Sequence, residues 1–251
     1  MAPRISGGAA GIVLHPVLLP CPAAIGDGLG KPVAHGRRLA RKAVVAQAAQ
    51  GALRSVLQWH LGRAVTAEEL RRDEHGKASL ASGELHFNLS HSGAWLYIVV
   101  ADSEVGVDIE RRRRLRSRHA FSSFTDALCM PGESIGYGTG ESALRRCWTR
   151  AEAVFKCLGM GMSVPLDGLR LPQGALTAAT RVDTGYGAVW IADLPGAAEQ
   201  SACVASRRAF DSIEVVCSAP VRALLSHRPG ALTVSWVDQA PAGHQIMQPC
   251  R

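Results

Sequence analysis

The chain has 251 residues, 47% hydrophobic and 20% charged; these are the proportions of one large globular domain or two small ones, and they exclude global disorder. No apolar run reaches the roughly 18 residues of a membrane-spanning helix, and no collagen, coiled-coil or short-period repeat is visible. Lys and Arg total 28 against 21 Asp and Glu, a net charge of +7, which favours phosphate ligands, nucleic acid or acidic proteins without choosing among them.

Residues 1–35, rich in Gly and Pro, predict an irregular N-terminal segment. Its apolar stretch at 9–19 is interrupted by His15 and Pro16, which argues against a signal peptide. From about 36 to 61 the pattern is helical, with Leu39, Ala43, Ala46, Leu53, Val56, Leu57 and Leu61 recurring at steps of three, four or their multiples. Arg37, Arg38, Arg41 and Lys42 load its first turns with charge that opposes the helix dipole. Either an anion lies nearby or the face is simply solvated. After a polar stretch, 85–89, 95–101 and 105–109 read as strands. Residues 115–142 read as loop and about 142–158 as helix. Strand candidates follow at 169–171, 188–192, 201–206 and 213–217. The segment 226–251 has no clear period and predicts a mobile tail.

The expected fold is therefore α+β, with an N-terminal half at 36–113 and a C-terminal half at 114–225. Each half is a long helix packed on a small antiparallel sheet. The seven cysteines show no CxxC pair and no metal-type spacing with His. Cys147 and Cys157 read as small core residues, and the chain as cytoplasmic.

Three segments carry candidate chemistry. Asn88-Leu89-Ser90-His91-Ser92-Gly93 reads as a polar turn between strands; Ser90 and His91 are no nucleophile–base pair, because adjacent strand side chains point apart. It is either a plain turn or an anion cradle. In Gly106-Val107-Asp108-Ile109-Glu110, Asp108 and Glu110 share one strand face, with Val107 and Ile109 toward the core. Paired carboxylates repel unless a cation sits between them, and oxygen donors suit Mg²⁺; a solvent-facing edge strand neutralised by the arginines at 111–114 is the alternative. In Trp148-Thr149-Arg150-Ala151-Glu152-Ala153-Val154-Phe155-Lys156, Thr149 and Glu152 fit a capping box, and Glu152 and Lys156 an i,i+4 pair. The same spacing lets Glu152 and Lys156 meet one phosphate–metal centre.

Together these segments resemble the Sfp-type 4′-phosphopantetheinyl transferases. The family carries a Ser-His segment, a G-[VI]-D-x-E strand and a W-[ST]-x-[KR]-E-[AS]-x-x-K helix, here at 86–93, 106–110 and 148–156. Glu74-His75-Gly76-Lys77 and the segment from Gly159 to Leu166 resemble two further family segments. The resemblance spans about 36–220. It departs at Ala151, where the family often has Lys. It also departs at Phe121-Ser122-Ser123-Phe124-Thr125-Asp126, an unclean match to a Phe-Ser-x-x-Glu element.

The resemblance implies two pseudo-symmetric halves with coenzyme A in the cleft between them. It implies Mg²⁺-dependent transfer of the phosphopantetheine arm to a serine of an acyl or peptidyl carrier protein in fatty-acid, polyketide or nonribosomal-peptide synthesis. Asp108, Glu110 and Glu152 would hold the metal. Glu152 would be the base, and Lys156 would neutralise a phosphate oxygen. Lys42, Lys77, Ser90, His91, Asp108 and Lys156 would contact coenzyme A. Met160, Met162 and Val164 would form either a docking edge for the carrier or core. A monomer that binds neither nucleic acid nor membrane is expected. A basic nucleic-acid-binding module, a metal-dependent phosphoesterase and an inactive coenzyme A binder are the rival readings. The first lacks the interleaved aromatics that base stacking needs, aromatic residues being 5% of the chain.

Overall fold

A computed structural model describes residues 11–19, 34–111, 141–161, 169–176, 178–196, 200–225 and 233–237, with the backbone only for 34–41. Its elements are β1 (Ile12–Leu18), α1 (Ala34–Leu61), β2 (Leu70–Arg72), β3 (Ala78–Leu80), β4 (His86–Ser92), β5 (Trp95–Ala101) and β6 (Val105–Arg111). There follow α2 (Glu141–Leu158), β7 (Thr180–Thr184), β8 (Gly187–Asp193), β9 (Gln200–Ser206), β10 (Ser212–Val216), α3 (Ala219–Leu224) and β11 (Thr233–Val237). The α+β class is as expected. Among the described residues no helix is long and apolar enough to cross a membrane.

The strands form a five-stranded sheet ordered β11-β10-β1-β5-β4, a four-stranded sheet ordered β6-β9-β8-β7, and the β2–β3 ribbon. Side-chain alternation assigns their faces. Leu96, Ile98 and Val100 of β5 pack with Leu53, Val56 and Leu57 of α1. Tyr97 and Val99 face the other way, toward Val105, Val107 and Ile109 of β6 and Val204 of β9. Cys203 and Ala205 of β9 turn from that interface toward Ala151, Val154 and Phe155 of α2. The layers therefore run helix, sheet, sheet, helix. A strand covered on both faces needs apolar residues throughout, which explains why all of Trp95–Ala101 is buried.

Several expectations are corrected. The N-terminal segment is not wholly irregular: β1 is interior to the first sheet, antiparallel to β5 and parallel to β10. Pro16 is accommodated because the β10 pairing ends at Leu14, and proline is tolerated where a strand lacks a ladder partner. The first sheet is mixed, not antiparallel, since β10 also runs parallel to β11. β11 lies in the expected tail, and residues 169–171 form only an isolated bridge. The two sheets also exchange strands relative to the expected halves: β6 joins the second sheet, while β10 and β11 complete the first. The 115–140 stretch, Arg112–Arg114 and the segment 121–126 lie outside the described residues.

Buried polar groups tie the layers. Arg150, 1% exposed, makes a two-pronged ion pair with Asp193 at 3.0 and 2.7 Å and also donates to the carbonyls of Pro172 and Gly174. That arrangement satisfies a guanidinium inside a core. His15 of β1 and His60 of α1 meet Nε2 to Nε2 at 2.9 Å beside Trp59. Burial pushes His60 down to about 4. Cys147 and Cys157 are buried free thiols, as expected of core residues.

Candidate active site

The site forms where β4, β6 and α2 converge. Strand alternation sends Val107 and Ile109 into the inter-sheet core and turns Gly106, Asp108 and Glu110 toward α2. The helix approaches so closely that a Cβ on Gly106 would lie 2.2 Å from the Ala153 carbonyl oxygen and 2.3 Å from the Cys157 nitrogen. Glycine therefore lets the strand bring Asp108, 4% exposed, against the helix. The solvent-facing edge alternative fails for Asp108.

On α2 the capping-box alternative also fails. The helix begins at Glu141, so Thr149 lies well inside it and its hydroxyl donates back to the Arg145 carbonyl at 2.7 Å. Lys156 reaches across to the strand: its Nζ donates to Asp108 Oδ1 at 2.6 Å and to Ser90 Oγ at 3.1 Å. Ser90 donates to the same Asp108 oxygen at 2.7 Å. Asp108 Oδ2 is buried with no hydrogen-bond partner. Burial raises the Glu152 carboxyl; Lys156 opposes the shift, and the charges of Asp108 and Glu110 add to it. The three acids predicted from sequence thus feel one another electrostatically, with a lysine among them. Among the described residues, no group of three or more His, Cys, Asp and Glu side chains is arranged to hold a metal ion in this structure.

The predicted polar turn is instead strand. Ser90, His91 and Ser92 all belong to β4, paired with Tyr97, Leu96 and Trp95, and the hairpin turns at Gly93 and Ala94. Ser90 faces Asp108. His91 is exposed and lies on the alternate face, the side of Phe87 and Leu89. Lys77 donates from Nζ to the Cys157 carbonyl at the end of α2, at 2.9 Å, and burial pushes its amine down. Its turn packs on the segment after α2: a Cβ on Gly159 would lie 3.6 Å from Asp73 and 3.7 Å from Lys77, and one on Gly161 3.4 Å from His75. The two fainter sequence matches therefore touch. Gly159, at φ 70, ends the helix, and Met160 N–H donates to the Phe155 carbonyl at 2.9 Å as a left-handed cap requires.

Lys42 is exposed on α1, and no hydrogen bond or ion pair among the described residues joins it to the acids. Ala151 is fully buried in the α2 core, so a lysine there would be forced inward. Met160 is half-buried, while Met162 and Val164 lie outside the described residues. Sequence reasoning missed Asn88 and Ser92. Asn88 Oδ1 accepts the Val107 N–H at 3.0 Å; Ser92 Oγ accepts the Arg111 N–H and donates to Glu110 Oε2, both at 3.1 Å. The available signal was polar residues at 88, 90 and 92, all on one strand face.

The sequence profile of the 4′-phosphopantetheinyl transferase superfamily matches residues 104–203, from β6 through most of β9. The 4′-phosphopantetheinyl transferase AcpT of Salmonella typhi is 35% identical over 157 residues, covering 57% of this chain and 79% of the relative. The 4′-phosphopantetheinyl transferase gsp of Aneurinibacillus migulanus is 30% identical over 97 residues, covering 39% of this chain and 40% of the relative. The 4′-phosphopantetheinyl transferase Sfp of Bacillus subtilis strain 168 is 30% identical over 109 residues, covering 40% and 46%. The matched region thus spans less than half the length of the last two.

Proposed function

We propose a function from one premise: this chain belongs to the Sfp-type family of the 4′-phosphopantetheinyl transferase superfamily. It moves the 4′-phosphopantetheine arm of coenzyme A onto a serine of an acyl or peptidyl carrier protein, of the kind that serves fatty-acid, polyketide or nonribosomal-peptide synthesis. The observation that carries this reading is the setting of Asp108. One oxygen is held by Lys156 and Ser90, the other is buried without a partner, and two more carboxylates act on the same space.

That donor set fits a hard divalent cation. Asp108, Glu110 and Glu152 would hold Mg²⁺. When bound, the ion supplies neutralisation of the coenzyme A pyrophosphate and of the charge that builds on the leaving group. Glu152, raised by burial, is the proton acceptor, because a base works best when its affinity for protons approaches the working pH. The serine oxygen bonds to the pyrophosphate phosphorus that carries the pantetheine arm. The bond from that phosphorus to the bridging oxygen breaks, adenosine 3′,5′-bisphosphate leaves, and the hydroxyl proton passes to Glu152. Lys156 donates to a phosphate oxygen. Ser90, His91 and Lys77 contact the phosphates of coenzyme A, and Lys42 takes a further one from the start of α1. The cofactor lies in the cleft between two pseudo-symmetric halves. The +7 charge steers acidic carriers toward the site, and the protein acts as a cytoplasmic monomer.

The test is an incubation of the protein with apo-carrier, coenzyme A and Mg²⁺, read by intact mass of the carrier. The carrier gains the arm, a chelator abolishes the gain, and Asp108→Ala or Glu152→Ala removes most of it. Coenzyme A cleaved in the absence of any carrier would make the protein a phosphoesterase instead, and carriers of every type left unmodified would refute transfer.

A further inference from the structure

β4 and β6 are edge strands of different sheets, yet they lie side by side. No backbone ladder joins them. Alternate side chains of β4 take the place of ladder partners: Asn88, 7% exposed, receives the Val107 N–H, and Ser92, 1% exposed, receives the Arg111 N–H. These two anchor points bracket Asp108 and Glu110. They fix the strand along its length at the positions from which both acids project. Ser92 does more, because a hydroxyl offers one donor and two acceptor sites. With its acceptor side held by the Arg111 N–H, its single proton is directed at Glu110 Oε2.

We propose that Ser92, supported by Asn88, is a positioning residue for the acid group: Ser92 orients the Glu110 carboxylate, and Asn88 holds β6 in the register that places Asp108 against Lys156. This inference rests on the reading that the acids hold a divalent ion. A backbone ladder would fix the strand but leave the Glu110 carboxylate free to rotate. The hydroxyl does both.

The experiment titrates Mg²⁺ into the metal-free full-length protein and follows the thermal midpoint, with carrier transfer measured in parallel. Ser92→Ala raises the Mg²⁺ concentration for half of the thermal shift about tenfold, the scale on which losing a partner behind a metal ligand acts. It lowers kcat while leaving KM for coenzyme A within about twofold. Ser92→Thr keeps the hydroxyl and restores both readouts. Should Ser92→Ala not fold, Ser92→Cys, which keeps the shape but is a weak donor, moves the Mg²⁺ midpoint the same way. A folded variant without the hydroxyl that keeps the wild-type Mg²⁺ midpoint overturns the proposal. Wild-type protein whose thermal midpoint ignores Mg²⁺ overturns the ion-binding reading beneath it.

Discussion

The Lys156 ammonium sits 2.6 Å from Asp108 Oδ1, so the lysine pairs across the helix–strand interface and not with Glu152 one turn earlier on its own helix. Removing it leaves Asp108, whose side chain is 6% exposed, with Ser90 alone. Breaking a fully buried pair costs about 3–5 kcal/mol. The Lys156 side chain is 29% exposed, so Lys156→Met should cost about 2 kcal/mol. Urea unfolding checks this, and stability unchanged within error would show that solvent already screens the pair.

Glu152→Gln separates stability from catalysis. The folded carboxyl binds its proton more tightly than the ordinary 4.5, chiefly through burial. Below 4.5 both the folded and unfolded states are protonated and no penalty exists. As pH rises from 4.5 through the raised folded value, the unfolded chain ionises first and wild-type stability falls relative to the variant. Glu152→Gln should therefore be as stable as wild type or more so at pH 7, and should lose transfer. Denaturation at pH 4 and pH 7 on both proteins reads the sign.

His60 gives the opposite slope. Its folded value of about 4 lies below the ordinary 6.5. Its contribution is whole above pH 6.5 and is lost as pH falls toward 4, because the unfolded state takes up the proton first. The loss can reach about 1.4 kcal/mol per pH unit for one proton. His60→Gln should flatten the acid limb of the stability curve; an unchanged limb would place the responsible group elsewhere.

Gly106→Ala should be among the most damaging single changes. The added methyl meets main-chain atoms of α2 at 2.2 and 2.3 Å, and neither can rotate away. A loss of about 3 kcal/mol or more is expected, seen as a lowered thermal midpoint or loss of soluble protein.

The sequence was most legible where local pattern and packing agree. The apolar run at 95–101 became β5 with those bounds, and α2 begins one residue before its expected start. The Asp108–Glu110 face was readable because strand alternation is rigid. β1 was hidden by Pro16, whose cost depends on a neighbouring strand whose pairing stops at Leu14, a fact no local window contains. The Ser90–Ser92 segment was misread as a turn because its polar side chains answer to β6, distant along the chain. The pairing of Lys156 with Asp108 over Glu152 was invisible for the same reason, since helical spacing offers the near partner and only tertiary packing supplies the better one.

The parallel pairing of β1 with β10 bears on how the polypeptide folds as it leaves the ribosome. On its β10 side Ile12 finds its lateral neighbour only in Ile213, so an early-made strand waits with one rim unsealed until β10 has been translated. Closure over so long a span is slow, and the waiting rim is open to wrong pairing in the meantime. The nascent protein thus depends on the late-made β10 to protect β1.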